Sequence, residues 1–245
     1  MFAIAKRELF SLFQTPLAWL LLAVTQAVLA YVFLRLLQAF AQAQGQLQGL
    51  PGAPGVTRMV AMPLLETCAF VMMVLVPLLT MRAFAEEERA RTLVLLLSAP
   101  VSAAAIVMGK FLGVAAFLGI IVGLTLLMPA SLAVGTNLDF GQLSAGLLGL
   151  LLITGLFAAL GLFVSSMTVQ PAMAGAGAFG MTLMLWMLDW GVERASLFEY
   201  LSVLHHFRTF LRGLISTADL GYFLVGIALF LYLTTSRIAA RRSPV

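Results

Sequence analysis

The chain has 245 residues, of which 62% are hydrophobic and 10% charged, and its mean hydropathy is +1.07. Soluble domains carry about 25% charged residues, so this composition excludes an ordinary soluble protein and indicates a multi-pass membrane protein. The formal net charge of +4 at pH 7 is typical of basic anchors on the cytoplasmic side of a membrane, and we expect no nucleic-acid partner. The single cysteine, Cys68, excludes an intramolecular disulfide and a multi-cysteine metal site.

Residues 2–14 place apolar side chains at helical spacing and the basic residues Lys6 and Arg7 on the opposite side. This pattern predicts a short amphipathic elbow helix in the membrane interface, with its basic face among the lipid headgroups. Thr15 and Pro16 suit the N-cap and first turn of a new helix. The alternative is a slightly longer first span.

The apolar runs predict an all-α fold of six transmembrane helices in a single transmembrane domain that covers residues 1–245. A span needs about 20 apolar residues, so the length allows about six spans. Their expected bounds are about 16–37, 60–80, 104–133, 143–164, 172–188 and 220–235. A polar stretch from about Gln38 to Arg58 is expected to be an external loop. In the third span, glycines at two GxxxG spacings would permit close helix approach: Gly109, Gly113, Gly119 and Gly123.

One acidic residue, Glu66, falls inside the second predicted span. An acid at that depth needs a partner or a water-filled cavity. Arg35 lies near the same depth on the first span and is its candidate partner in an intramembrane polar pair. A structural ion pair and a place on a substrate path both fit this acid.

Residues 189–219 are too charged to span a membrane and too apolar for a free loop, so we expect external amphipathic, re-entrant helices before the sixth span. His205 and His206 are adjacent and point about 100° apart on a helix, which argues against a shared metal or haem. The chain has no P-loop, HExxH or GxSxG motif. We therefore expect neither catalytic residues nor a metal or cofactor in this chain.

With six spans, both termini lie on the same side of the membrane. If the N-terminus is internal, nine of the 14 basic residues lie on that internal side. This excess agrees with the positive-inside rule and makes both termini cytoplasmic. Five basic residues are left outside: Arg35, Arg58, Arg194, Arg208 and Arg212.

The charged segment 81–103 lies between the second and third spans. It holds Glu86-Glu87-Glu88, then the phrase RTLVLLLSAPVS at residues 91–102, and Gly109-Lys110-Phe111 follows at the start of the next span. This order resembles the membrane subunits of ABC-2 type ABC transporters. Arg91 stands where such subunits usually have glycine, and Val94 where they usually have glutamate. The compact size is similar to the gliding-motility and nitrous-oxide-reductase-maturation subgroup, and we favour its gliding-motility branch.

The resemblance implies a permease of the bacterial inner membrane in which two copies pair and two ATPase subunits bind below. ATP and Mg²⁺ would belong to the partner ATPase, and an auxiliary periplasmic or membrane subunit is compatible with this arrangement. The segment from about Ala83 to Thr92 would be a coupling helix seated on the ATPase. The residues assigned to this coupling are Arg82, Glu86, Glu87, Glu88, Arg91 and Thr92.

Other classes of function stay open at this point. An ATP-independent secondary transporter or channel would use Glu66. A membrane scaffold would anchor a periplasmic complex, and an integral-membrane enzyme comes last.

Overall fold

A computed structural model describes residues 1–47, 54–90, 101–188 and 200–241. Of these residues, 87% are helical and none lies in a strand, which confirms the all-α prediction. A π-helical turn, Thr57–Ala61, precedes the third helix, and a 3₁₀ turn, Leu132–Val134, follows the fifth. The helices described are α1 (Phe2–Gln14), α2 (Pro16–Leu47), α3 (Met62–Thr80), α4 (Ala85–Arg89), α5 (Ala103–Ser131), α6 (Phe140–Met167), α7 (Pro171–Met187), α8 (Val203–Leu211) and α9 (Thr217–Ala240).

Several of these helices begin where a side-chain oxygen caps a free backbone N–H group. The capping residue accepts a hydrogen bond two or three residues ahead, at 3.0–3.3 Å. The caps are Ser102 before α5, Asp139 before α6, Ser202 before α8 and Ser216 before α9.

Five helical stretches in the described part of the chain are long and apolar enough to cross a membrane: Pro16–Gly45, Thr57–Arg89, Ala103–Val134, Phe140–Met167 and Thr217–Ala240. The chain is therefore a multi-pass membrane protein. The predicted fifth span, 172–188, corresponds to α7, which is also apolar but has 17 residues. At 1.5 Å per residue it reaches about 26 Å, slightly less than the roughly 30 Å hydrocarbon core.

Two segments differ from the lengths that the sequence predicts. α2 continues to Leu47, so the helix includes ten residues beyond 37 that were expected to belong to the external loop. Glutamine and alanine make up most of that stretch, and both are good helix formers. The predicted coupling helix, by contrast, has only the five residues of α4 in helical form, and residues 91–100 lie outside the described part.

α6 lies at the centre of the bundle, where it packs against α3, α5, α7, α8 and α9. Large aromatic side chains with less than 2% exposure fill the spaces around it: Phe117, Phe157, Phe207, Phe210 and Phe223. α2, in contrast, leaves several large apolar side chains exposed, including Trp19, Leu20 and Tyr31. Such an outer face suits lipid or another membrane protein.

The bundle has two distinct ends. At the first, which we call the α4 end, α3 stops, α4 follows and α5 begins, and the C-terminal end of α9 returns there to contact α4. At the second, the α8 end, α3 and α6 begin beside the C-terminal end of α8. The 19 residues of α3 separate these ends by about 28 Å.

Candidate functional site

The turn before α4 is fixed to the central helix by Ser165 of α6. Its hydroxyl oxygen accepts hydrogen bonds from the backbone N–H groups of Phe84 and Ala85, at 3.1 and 3.2 Å. The same hydroxyl donates to the carbonyl oxygen of Met81 at 3.1 Å. One buried serine thus uses its donor and both acceptor positions to hold the start of α4.

Lys110, two turns into α5, joins three elements at the α4 end. Its ammonium group forms ion pairs with Glu8 of α1 and, at 2.7 Å, with Glu87 of α4. The Lys110 residue is 3% exposed, and its Nζ atom lies 5.3 Å from the centre of the Phe84 ring. A lysine this deeply buried requires such partners, since an unpaired buried charge is costly.

A second ion pair fixes the other side of α4. Arg241, just after α9, pairs with Glu88 through Nη1 and donates from Nη2 to the carbonyl oxygen of Ser166 at 3.2 Å. α4 is therefore attached directly to α5, α6 and the end of α9, and to α1 through Lys110.

The charged residues predicted for coupling divide into two groups. Glu87 and Glu88 are engaged within the chain, whereas Arg82 and Glu86 are exposed. Arg82 and Glu86 line a cleft of about 370 Å³ that extends between α1 and the end of α3. Arg91 and Thr92, the remaining two, lie outside the described residues.

The elbow residues Lys6 and Arg7 are exposed on α1, while the other face of α1 lies against α5. Two of the glycines in the GxxxG spacings make this contact close. A Cβ atom on Gly109 would lie 2.7 Å from Cγ2 of Ile4, and one on Gly113 would lie 2.7 Å from Cβ of Glu8. Cβ atoms essentially never come within 3.0 Å of another heavy atom unless a neighbour shifts, so these glycines allow α1 to approach α5 this closely.

The structure gives Glu66 a different partner from the one that the sequence suggested. Its carboxylate oxygen Oε1 accepts a hydrogen bond from Nε of Arg208 at 3.2 Å. Arg35 is exposed on α2, and no contact between it and Glu66 is found among the described residues. Arg208 comes from α8, 142 residues further along the chain. Comparing the depths of residues on the first and second spans therefore could not identify it.

Sequence reasoning also missed a buried polar pair that joins α8 to α9. Nδ1 of His206 lies 2.5 Å from Oδ1 of Asp219, and Nε2 lies 2.9 Å from the carbonyl oxygen of Tyr200. The imidazole ring stacks on Tyr222 with 4.1 Å between ring centroids. The sequence does place Asp219 in the first turn of an apolar helix, and an acid at such a position needs a nearby partner. That requirement was the signal that could have indicated this pair. Among the described residues no group of three or more His, Cys, Asp or Glu side chains could hold a metal ion.

These features define the class of protein, a multi-pass helical membrane protein with a short charged helix fixed between two of its spans. The sequence model of a family described as ABC-2 family transporter protein matches residues 2–238. The chain therefore belongs to that family, which confirms the resemblance at family level. Members are membrane components of ABC transporters and normally work with an ABC ATPase. A comparison with curated proteins gives no significant match.

Proposed function

We propose that the chain is the permease subunit of an ABC exporter or mechanotransmission complex, and that it couples ATP hydrolysis by a separate subunit to movement of its own helices. The observation that carries this proposal is the placement of α4. It is a charged helix at one end of the bundle, held by Ser165, Lys110 and Arg241. Glu86 on this helix and Arg82 just before it are exposed.

The ion pairs support a separation of roles within the acidic run. Glu87 and Glu88 hold α4 against the bundle, so they transmit displacement rather than recognise a partner. Glu86 is exposed at the cleft beside α1, where a basic surface of an ATPase would find a complementary charge. Displacement of α4 would then move α5 through Lys110 and α9 through Arg241.

The remaining parts of the assembly follow from composition and from the exposed surface. The excess of basic residues on the α4 side favours a cytoplasmic location for that end and for both termini, in a bacterial inner membrane. The exposed apolar face of α2 is a candidate surface for pairing two copies. The same proposal includes α7 as the fifth of six spans, a re-entrant role for α8 and the role of α1 as an elbow. It also includes an auxiliary subunit and the gliding-motility branch.

The test is a co-purification of the tagged permease with its ATPase from native membranes in mild detergent, comparing two charge reversals on one helix. Glu86→Lys should release the ATPase and abolish permease-dependent ATP turnover, because it places a cation against a basic surface. Arg89→Glu is the matched control, because Arg89 lies three residues after Glu86 on the same short helix and is also exposed; this variant should leave binding intact or strengthen it.

Membrane insertion and the melting temperature of both variants are measured alongside, so that loss of folding is separated from loss of docking. Retained ATPase binding in Glu86→Lys, or equal loss in Arg89→Glu, contradicts the assignment of the docking surface. A homo-oligomer that purifies without any ATPase contradicts the proposed function itself. The secondary-transporter alternative gains no support from the geometry, because Arg208 already engages the Glu66 carboxylate.

A further inference from the structure

Arginines from two separate parts of the chain converge at the α8 end of the bundle. Two adjoining clefts of about 450 and 460 Å³ open there. Arg58, Gln142 and Arg212 line both clefts, so the two form one continuous depression. Arg208 and Glu66 line the second. Three of the five basic residues that the sequence places outside the membrane thus meet at one site.

The depression is lined by three arginines and two acids, so its formal charge is +1. Glu66 is engaged by Arg208, and Oδ1 of Asp139 accepts the backbone N–H of Gln142 at 3.0 Å. Arg58 and Arg212 are exposed, and neither forms an ion pair with any residue in the described ranges. Neither guanidinium group has an ion-pair partner among the described residues, so both would stabilise an anion bound in the depression.

The backbone around the depression is held in place by buried hydrogen bonds. Gln142, 8% exposed, donates from Nε2 to the carbonyl oxygen of Leu211 at 2.8 Å, which ties α6 to the end of α8. The hydroxyl oxygen of Thr57 accepts the backbone N–H of Asp139 at 3.0 Å, which ties the start of α3 to the start of α6. Gly213 turns the chain with φ +82° directly after Arg212. Both arginines thus project from an ordered backbone, so ligand binding would cost little conformational entropy in the backbone of the site.

Guanidinium groups present planar pairs of N–H donors that match the oxygens of a phosphate. The two residues after Gly213 are Leu214 and Ile215, each 60% exposed. Apolar side chains beside a basic depression fit the boundary between phosphate groups and acyl chains of a bilayer.

We infer that Arg58 and Arg212 form a phosphate-binding site, with Arg208 held nearby by Glu66. The phosphate is carried by an anionic lipid or is free in solution. This site does not depend on an ATPase partner, and it is tested on the permease chain alone.

The first arm of the test measures lipid. The full chain, purified in detergent micelles that contain phosphatidylglycerol and phosphatidylcholine, is analysed by native mass spectrometry for retained lipid. The second arm titrates inorganic phosphate and glycerol 3-phosphate into the protein in phosphatidylcholine nanodiscs by calorimetry.

The variants are Arg58→Gln, Arg212→Gln, the double glutamine variant and the double lysine variant. Each glutamine should weaken binding about tenfold, because a hydrogen bond to a charged group is lost. The double lysine variant keeps the charge but loses the paired donors, so it should bind with intermediate strength. If the double glutamine variant fails to fold, the double lysine variant still tests the site. Arg35→Gln is the matched control, since Arg35 is an exposed arginine outside the depression.

Retention of phosphatidylglycerol alone identifies a lipid source, and heat with soluble phosphate alone identifies a soluble one. Both results support the site. No preference for phosphatidylglycerol together with no heat from either phosphate overturns it. Equal weakening by Arg35→Gln overturns it as well.

Discussion

Replacing Lys110 with methionine removes the cation that two carboxylates share at the α4 end. Methionine fills a similar volume but leaves Glu8 and Glu87 close together with no positive charge between them. Breaking a buried ion pair costs about 3–5 kcal/mol. The Lys110 side chain is 4% exposed, but those of Glu8 and Glu87 are 21% and 29% exposed. Water can therefore stabilise the acids in part, and we expect a loss of about 2–3 kcal/mol.

The chain carries a convenient reporter for this loss. Cys68 is its single cysteine and is buried in the core, so a dye that fluoresces on reaction with a thiol reports unfolding in detergent. A change of 1 kcal/mol shifts the melting temperature by about 2–4 °C at this chain length, which predicts a drop of roughly 4–12 °C.

Two further variants make this prediction specific. Arg7→Met removes an exposed basic residue from α1 and should shift the melting temperature by less than about 2 °C. Adding Glu8→Gln and Glu87→Gln to Lys110→Met should recover at least half of the loss, because two like charges no longer face each other without the lysine. If Lys110→Met melts with the wild-type protein, or if neutralising both acids recovers nothing, the reasoning from the ion pairs is refuted.

Two other contacts yield predictions with the same thermal readout. Gly113→Val brings a side chain to within 2.7 Å of the Glu8 Cβ and should lower the free energy of unfolding by about 1–3 kcal/mol, because it forces α1 away from α5. Gly119→Val is the control, since a Cβ atom at Gly119 would have nothing within 4 Å. Equal losses of stability in the two variants would contradict the close contact of α1 with α5. Asp219→Ala leaves the buried His206 without its Nδ1 partner and should lower the free energy of unfolding by about 1–3 kcal/mol. An unchanged melting temperature would show that this pair does not hold α8 to α9.

The sequence was informative wherever the physics is local. Long apolar runs predict helices because a membrane leaves no other way to satisfy the backbone, and α3, α5, α6 and α9 begin within about three residues of the predicted starts. The charged segment between the second and third spans was equally visible. Hydrocarbon excludes such charges, so their place along the chain shows where an end of the bundle lies.

What the sequence could not indicate is which distant residues meet. Glu86, Glu87 and Glu88 are chemically alike, and only the turn at 81–84 decides which of them points inwards. Lys110 meets Glu8 from 102 residues away, a contact that depends on α1 folding back along α5. Arg35 was chosen for Glu66 because it lies near the same depth on the preceding span. α2 does pack against α3, but the partner that the structure shows is Arg208 of α8.

The short length of α4 bears on how it would transmit force. A five-residue helix is not stable alone, because nucleating a helix is unfavourable and too few bonds follow. Its conformation therefore depends on Ser165, Lys110 and Arg241, which belong to three different parts of the bundle. A partner that pushes α4 must either break these contacts or move the helices that carry them. Because the contacts are buried or ionic and act together, moving the helices is the less costly response. A short helix held in this way could therefore transmit displacement as the predicted coupling helix was expected to do.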